Sequence, residues 1–100
     1  METRQIFRIS KRLLIKVNGL TSVMVDISKI GMKLILPILL KRREVVITFR
    51  MDNRIVDLKG DVRWIHKEPT IYDQAQYQVG VLLDDPPEEY LEMVDELSQE

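Results

Sequence analysis

The chain has 100 residues, a formal net charge of −1 and no cysteine, so it provides one compact domain rather than two. The lack of cysteine excludes disulfides, thiolate catalysis and cysteine-ligated metal sites, and it fits a reducing compartment such as the cytoplasm. No apolar run approaches the roughly 18 residues that span a bilayer, and no apolar segment of the kind found in signal peptides follows the first arginines.

Residues 1–12 are predicted to form a flexible basic arm. This segment is polar, carries Arg4, Arg8 and Arg12, and shows little hydrophobic periodicity. A terminal segment of this composition is ordered only when something else holds it in place.

Alternating apolar residues predict a β-structure over residues 13–84. Asn18-Gly19 is a strong hairpin signal, Pro37 ends a strand because proline cannot donate to a ladder, and Gly60 is a candidate for a β-bulge. The predicted strands cover residues 14–17, 21–26, 32–36, 45–50, 55–65 and 76–83. Short alternating strands with regular turns predict a mainly β fold, an antiparallel barrel of six to seven strands.

The end of the chain predicts one helix over residues 86–98. Asp85 is the expected N-cap and Pro86 the first helical residue, with acids in the first turn, where the helix dipole favours them. An apolar stripe then follows with helical spacing: Tyr90, Leu91, Val94 and Leu97.

Two local patterns stand out. The first is an R-x-x-x-R spacing made by Arg4 and Arg8 in the arm. The second is a D-x-S-x-x-G turn between two predicted strands, with Asp26, Ser28 and Gly31. Each is weak alone, but both together in a short, strand-rich chain are fairly specific.

These paired motifs resemble those of the PilZ domain family in form, order and approximate separation. The resemblance covers nearly the whole chain, because residues 62–64, residues 77–81 and the terminal helix also fit the family. A second frame, Arg8 and Arg12, exists, but the Arg4/Arg8 frame aligns residues 8–13 with the family's usual run into the first strand. The resemblance implies a single PilZ domain, 1–100, with a PilZ-type barrel, from a bacterial, cytoplasmic protein.

The family's ligand is cyclic di-GMP, and the resemblance implies a role for each motif residue. Arg4 and Arg8 would hold phosphates or guanines, since a guanidinium can bind both. Asp26 would accept from guanine N–H groups, Ser28 would bond a base or a phosphate, and Gly31 would permit a backbone conformation or a close approach that a β-carbon blocks.

Two further residues are possible secondary contacts, Lys29 near a phosphate and Trp64 near a guanine. Against the ligand-binding interpretation, Asp26 and Ser28 could form only a polar turn through bonds to the backbone. Trp64 could serve packing alone, and Lys29 could be a solvated turn residue. No catalytic residues, no metal site and no cofactor are expected, since His66 is the only histidine.

The first functional hypothesis is therefore a cyclic di-GMP receptor that signals by conformational change and contact with a downstream bacterial protein, without catalysis, DNA binding or membrane insertion. A second is a PilZ-like adaptor that binds protein but no nucleotide. A third is a nucleic-acid-binding barrel, because residues 1–50 hold 11 Lys and Arg against 3 Asp and Glu, whereas residues 51–100 hold 4 against 13. The scarcity of aromatic residues counts against it. The sequence leaves a homodimer open.

Overall fold

The computed structural model describes residues 9–51, 53–69 and 76–98 of the chain, and the side chains from Arg12 onward within those ranges. Within these ranges, six strands precede one helix. Their bounds are β1 Ile9–Val17, β2 Leu20–Ile27, β3 Gly31–Leu36, β4 Glu44–Met51, β5 Arg54–Glu68, β6 Gln76–Leu83 and α1 Glu88–Ser98.

The six strands form a closed barrel in the order β1-β2-β3-β6-β5-β4, with every neighbouring pair antiparallel. The seam between β1 and β4 has only two paired positions, of which one is Val17 opposite Ile47. The adjacent Asn18 reinforces the seam, because its backbone N–H and side-chain oxygen both bond the backbone of Val46 at 2.8 Å. The barrel interior is filled by the inward residues of each strand, as the alternating pattern predicts.

The β1–β2 turn has the conformation that its sequence predicts. Asn18 and Gly19 have φ angles of 52° and 85°, and a two-residue hairpin turn of this type needs positive φ at both positions. At the hairpin between β4 and β5, Met51 pairs with Arg54.

Helix α1 lies against the barrel through Tyr90, Met93 and Val94, all of which are buried. The ring of Tyr90 meets that of Phe49 edge-on, with centroids 6.5 Å apart and an interplanar angle of 80°, an arrangement that aromatic quadrupoles favour. In the described part of the chain, the helix is too short to be a bilayer span, and no candidate span is present.

The N-terminal boundary of the barrel differs from the predicted one. Strand β1 begins at Ile9, so residues 9–12 belong to the sheet rather than to the arm, because Ile9 pairs with Ile27 across the β1–β2 ladder. Residues 1–8 of the predicted arm lie outside the described residues.

The helix begins at Glu88, two residues later than predicted. The Pro87 carbonyl accepts the first helical bond, from Leu91. The predicted N-cap, Asp85, has a left-handed φ of 48°, and Pro86 is followed by another proline, which disfavours the helical conformation at the preceding residue.

The predicted bulge at Gly60 was wrong. Gly60 pairs regularly with Val45 and with Leu83. A β-carbon on Gly60 would overlap the Val81 side chain, so close packing across the barrel interior explains this glycine.

Candidate functional site

A β-bulge turns Asp26 out of the barrel interior. On β2, Ser22 and Met24 point inward and are buried, so strict alternation would also point Asp26 inward. Met24 pairs with Leu34, but Asp26 pairs with the next residue along β3, Lys33, so Val25 is the extra residue. A bulge of this kind reverses the faces beyond it. Asp26 therefore lies on the outer surface.

A second bulge does the same for Trp64. On β5, Val56, Leu58 and Val62 point into the core. Val62 pairs with Val81, but Trp64 pairs with Gly80, so Arg63 is the extra residue. Trp64 therefore lies on the outer surface, where 44% of it is exposed.

The two bulges bring these side chains into one row on the outside of the barrel. Asp26 lies opposite Lys33, Lys33 opposite Gly80, and Gly80 opposite Trp64, on four adjacent strands. The indole of Trp64 lies across Gly80, where a β-carbon would overlap the ring. Because adjacent strands are about 4.8 Å apart, the row spans roughly 14 Å.

This row is the floor of an open groove with a volume of about 430 Å³. The motif turn borders the groove at the Asp26 end of the row, and Arg63 borders it at the Trp64 end. Its lining residues are Asp26, Ile27, Ser28, Ile30, Gly31, Met32, Lys33, Arg63, Trp64, Gly80, Val81 and Leu82.

The Ser28 side chain organises the motif turn. Its Oγ accepts hydrogen bonds from the backbone N–H groups of Ile30 (3.3 Å) and Gly31 (3.1 Å), and its hydroxyl donates to the Gly31 carbonyl over 3.4 Å. The Ser28 backbone N–H bonds that same carbonyl at 2.9 Å. The contacts of Ser28 in this structure are thus those of a polar turn. The bond that its hydroxyl donates is the longest of the four.

Gly31 is needed for a close approach of backbones. A β-carbon at Gly31 would lie 2.6 Å from the Val81 carbonyl oxygen, which belongs to the neighbouring strand and cannot move aside. Gly31 does not have a positive φ. Gly31 therefore meets the backbone of β6 without a left-handed conformation of its own.

Two cations, Lys33 and Arg63, and one carboxylate, Asp26, line the groove. Lys33 Nζ lies 3.5 Å from Asp26 Oδ2, and their side chains are 28% and 18% exposed. Arg63 lies 3.6 Å from Asp61 and is more exposed. The Asp26–Lys33 pair is thus the more shielded of the two, and screening by salt affects it less.

The motif turn is bonded to helix α1. The Tyr90 hydroxyl donates to the Ser28 carbonyl at 2.6 Å in a buried setting, and burial raises the pKa of the Tyr90 phenol above its usual value. At the surface, Lys29 Nζ lies 2.7 Å from Asp95 of the helix.

Among the predicted site residues, the structure brings together Asp26, Ser28, Gly31 and Trp64. It does not bring in Lys29, which is absent from the groove lining and pairs with the helix instead. Arg4 and Arg8 lie outside the described residues.

Sequence reasoning missed Lys33, Arg63, Gly80 and Tyr90. Gly80 and Trp64 lie in segments that resemble the family's last strands, but no pattern in the sequence predicted that they pair across the sheet. Within the ranges that the structure covers, no group of three or more acidic or histidine side chains could hold a metal ion.

The chain matches the family model of the PilZ domain over residues 2–100. Its fold is similar to that of a solved structure of the Bacillus subtilis inhibitor of motility (MotI/DgrA), with a TM-score of 0.70 and 15% sequence identity. The similarity covers 99% of this chain and 49% of the other, so this chain spans about half the length of that protein. At this identity the likeness concerns the fold. No curated protein matches the chain.

Proposed function

Because the chain belongs to the PilZ domain family, a family of cyclic di-GMP receptor and adaptor domains rather than enzymes, we propose that it binds cyclic di-GMP and passes the signal on through changed contacts with a protein partner. The observation that carries this proposal is the groove, in which two bulges present Asp26 and Trp64 on one outer surface. Bulges that redirect side chains are frequent beside functional sites.

The chemistry of the groove suits a guanine nucleotide. The Asp26 carboxylate can accept from the N–H groups of a guanine edge, and such charge-assisted bonds are the stronger kind. The exposed part of Trp64 offers a stacking surface for a purine. Gly80 leaves room for the Trp64 ring against the sheet, and Gly31 adds no side chain to the groove.

The arm motif would complete the site from the N-terminal side. Strand β1 begins at Ile9 opposite Ile27, within the motif turn's own strand. Arg8 is covalently joined to Ile9, and Arg4 is five residues from it, a reach of at most about 18 Å. A segment of this length would let both guanidinium groups meet a ligand in the groove and bind its phosphates bidentately. Ordering of this segment on binding would be the switch.

The output would pass through helix α1 as well as through the arm. The motif turn is joined to the helix by the buried Tyr90–Ser28 bond and by the Lys29–Asp95 ion pair. A ligand that shifts the turn would thus shift bonded groups of the helix. The changed surface of the arm and helix would then be read by a downstream bacterial protein.

Calorimetric titration with cyclic di-GMP tests the proposal. Asp26→Ala and Arg8→Ala should each weaken binding by at least about tenfold, because each removes a charged hydrogen-bonding group. The matched controls are Asp57→Ala and Arg54→Ala, which make the same substitutions at exposed positions of β5 away from the groove and should leave affinity unchanged. The absence of saturable heat from the unaltered, folded chain at roughly tens of micromolar ligand would refute nucleotide binding.

A second candidate function is that of a protein-binding adaptor without nucleotide. It is favoured by the contacts of Ser28 and Asp26, since the Ser28 hydroxyl is used by its own turn and Asp26 pairs with Lys33. A folded chain that shows no heat with cyclic di-GMP, yet changes the behaviour of a bacterial partner protein when expressed, is the result that this alternative predicts.

A further inference from the structure

Lys33 occupies the centre of the groove floor. Its Cα lies opposite Asp26 on one side and opposite Gly80 on the other. Since the indole of Trp64 covers Gly80, Lys33 stands between a carboxylate and an aromatic ring. A carboxylate, a cation and a ring thus follow one another along the row.

The positive charge of Lys33 lies beside the negative charge of Asp26 in the groove. A carboxylate that accepts from a guanine edge also repels any phosphate of the same ligand, and this repulsion grows as the ligand displaces water. A cation beside the carboxylate offsets the repulsion between the carboxylate and the phosphate. Among the described lining residues the cations are Lys33 and Arg63, and Lys33 is the one within 4 Å of Asp26.

The contact of Lys33 with Asp26 leaves it able to bind a second anion. Their separation of 3.5 Å exceeds the 2.7 Å of the Lys29–Asp95 pair and the usual length of a charge-assisted hydrogen bond. An ammonium carries three donors. It can therefore keep its interaction with Asp26 and still donate to a phosphate oxygen above the floor.

We propose that Lys33 is a further ligand-binding residue of the groove, whose ammonium binds a phosphate of the cyclic dinucleotide between a guanine on Asp26 and a guanine on Trp64. This inference rests on the proposed function. It supplies the sheet side of the site with a phosphate contact of its own, in addition to those expected from Arg4 and Arg8.

The first test is a calorimetric titration of Lys33→Met and Lys33→Arg with cyclic di-GMP at several salt concentrations. Lys33→Met should raise the Kd by about tenfold to a hundredfold and make it less dependent on salt, since one charge contact is lost. Lys33→Arg should retain most of the affinity and the salt dependence. Lys59→Met, on the outer face of β5 and exposed, is the matched control and should behave like the unaltered chain.

The second test separates a direct contact from an action through Asp26. If Lys33 touches the phosphate, Lys33→Met should weaken binding further in a chain that already carries Asp26→Ala. If Lys33 serves only to hold Asp26, the double variant should bind as Asp26→Ala does. That second result would overturn the inference.

The failure of this inference differs from the failure of the proposed function. Equal binding by the unaltered chain and by Lys33→Met overturns the role of Lys33 and leaves the receptor function standing. No binding by the unaltered chain overturns both. Thermal unfolding of each variant checks that the barrel is intact.

Discussion

Two walls of the same barrel are built differently. The hairpin wall, formed by β4 and the first part of β5, has eight successive pairs from Glu44 opposite Asp61 to Met51 opposite Arg54, with no shift of register. The groove wall, formed by β2, β3, β6 and the last part of β5, contains two register shifts.

The difference shows how an ordinary barrel acquires a site. Regular alternation on the hairpin wall sends Val45, Ile47 and Phe49 into the core. On the groove wall, each bulge sends outward a side chain that alternation would have buried. Asp26 inside the barrel would be an unpaired charge in an apolar core, at a high cost in free energy. Outside, it lines the groove and lies 3.5 Å from Lys33.

The largest effect is expected for Gly31→Ala on the groove wall. The new β-carbon would lie 2.6 Å from a backbone oxygen of β6, and relieving such overpacking costs about 3 kcal/mol. Gly19→Ala is the control, because Gly19 has a φ of 85° but open space around it, and the backbone strain alone costs about 1–2 kcal/mol. Urea unfolding measures both. A Gly31→Ala protein as stable as Gly19→Ala would remove close approach as the reason for Gly31.

The sequence alone predicts the hairpin wall well. Strand β4 alternates without interruption, and so does β5 up to Val62. Their facing and pairing then depend only on period-two patterning and on the turn that joins them. The hairpin at Asn18-Gly19 was predicted for the same reason, since two adjacent residues determine its conformation.

The groove wall could not be predicted to the same extent. The motif D-x-S-x-x-G located Asp26, Ser28 and Gly31, but no local pattern marks Val25 or Arg63 as the extra residue of a bulge. A bulge is determined by hydrogen bonding across strands that are distant in sequence. The predicted bulge at Gly60 relied on composition and was wrong. Lys33 was missed because its neighbours in the groove lie on other strands.

A smaller effect is expected for Tyr90→Phe, which tests the connection between the groove wall and the helix. The substitution leaves the buried Ser28 carbonyl without its donor, at a cost of about 1–3 kcal/mol. Chemical unfolding gives the loss. Because the ring remains, packing against Phe49 is kept, so an unchanged free energy of unfolding would mean that the hydrogen bond contributes nothing to this connection.

The same hydroxyl predicts a dependence on alkaline pH. Burial raises the pKa of Tyr90 in the folded state, so the unfolded chain loses this proton first, at a pH near 10. The contribution is fully present below that pH and is lost as the pH rises above it, at up to about 1.4 kcal/mol per pH unit. The free energy of unfolding, measured from about pH 8 to about pH 11, should fall as the pH rises. The fall should be shallower in Tyr90→Phe. Parallel curves for the two proteins would contradict this assignment.

The smallest effect is expected for Thr48→Val on the hairpin wall. Thr48 donates to Asp57 at 2.7 Å, but the bond is exposed, so its loss should change stability by no more than about 0.5 kcal/mol. Affinity for cyclic di-GMP should not change, and calorimetry with urea unfolding checks both expectations. A large loss of binding would show that the site extends beyond the groove wall.

The two bulges place Asp26 and Trp64 in one groove. A ligand that binds there should therefore affect both side chains. Trp64 is the only tryptophan, so its fluorescence reports on this groove alone. The most direct measurement is a titration with cyclic di-GMP that follows Trp64 emission and heat together, in the unaltered chain and in Asp26→Ala. We expect Trp64 emission and heat to saturate at the same ligand concentrations. We expect Asp26→Ala to shift both saturation curves to higher ligand concentration. Saturable heat with no change in Trp64 emission, or an emission change unaffected by Asp26→Ala, would contradict these expectations.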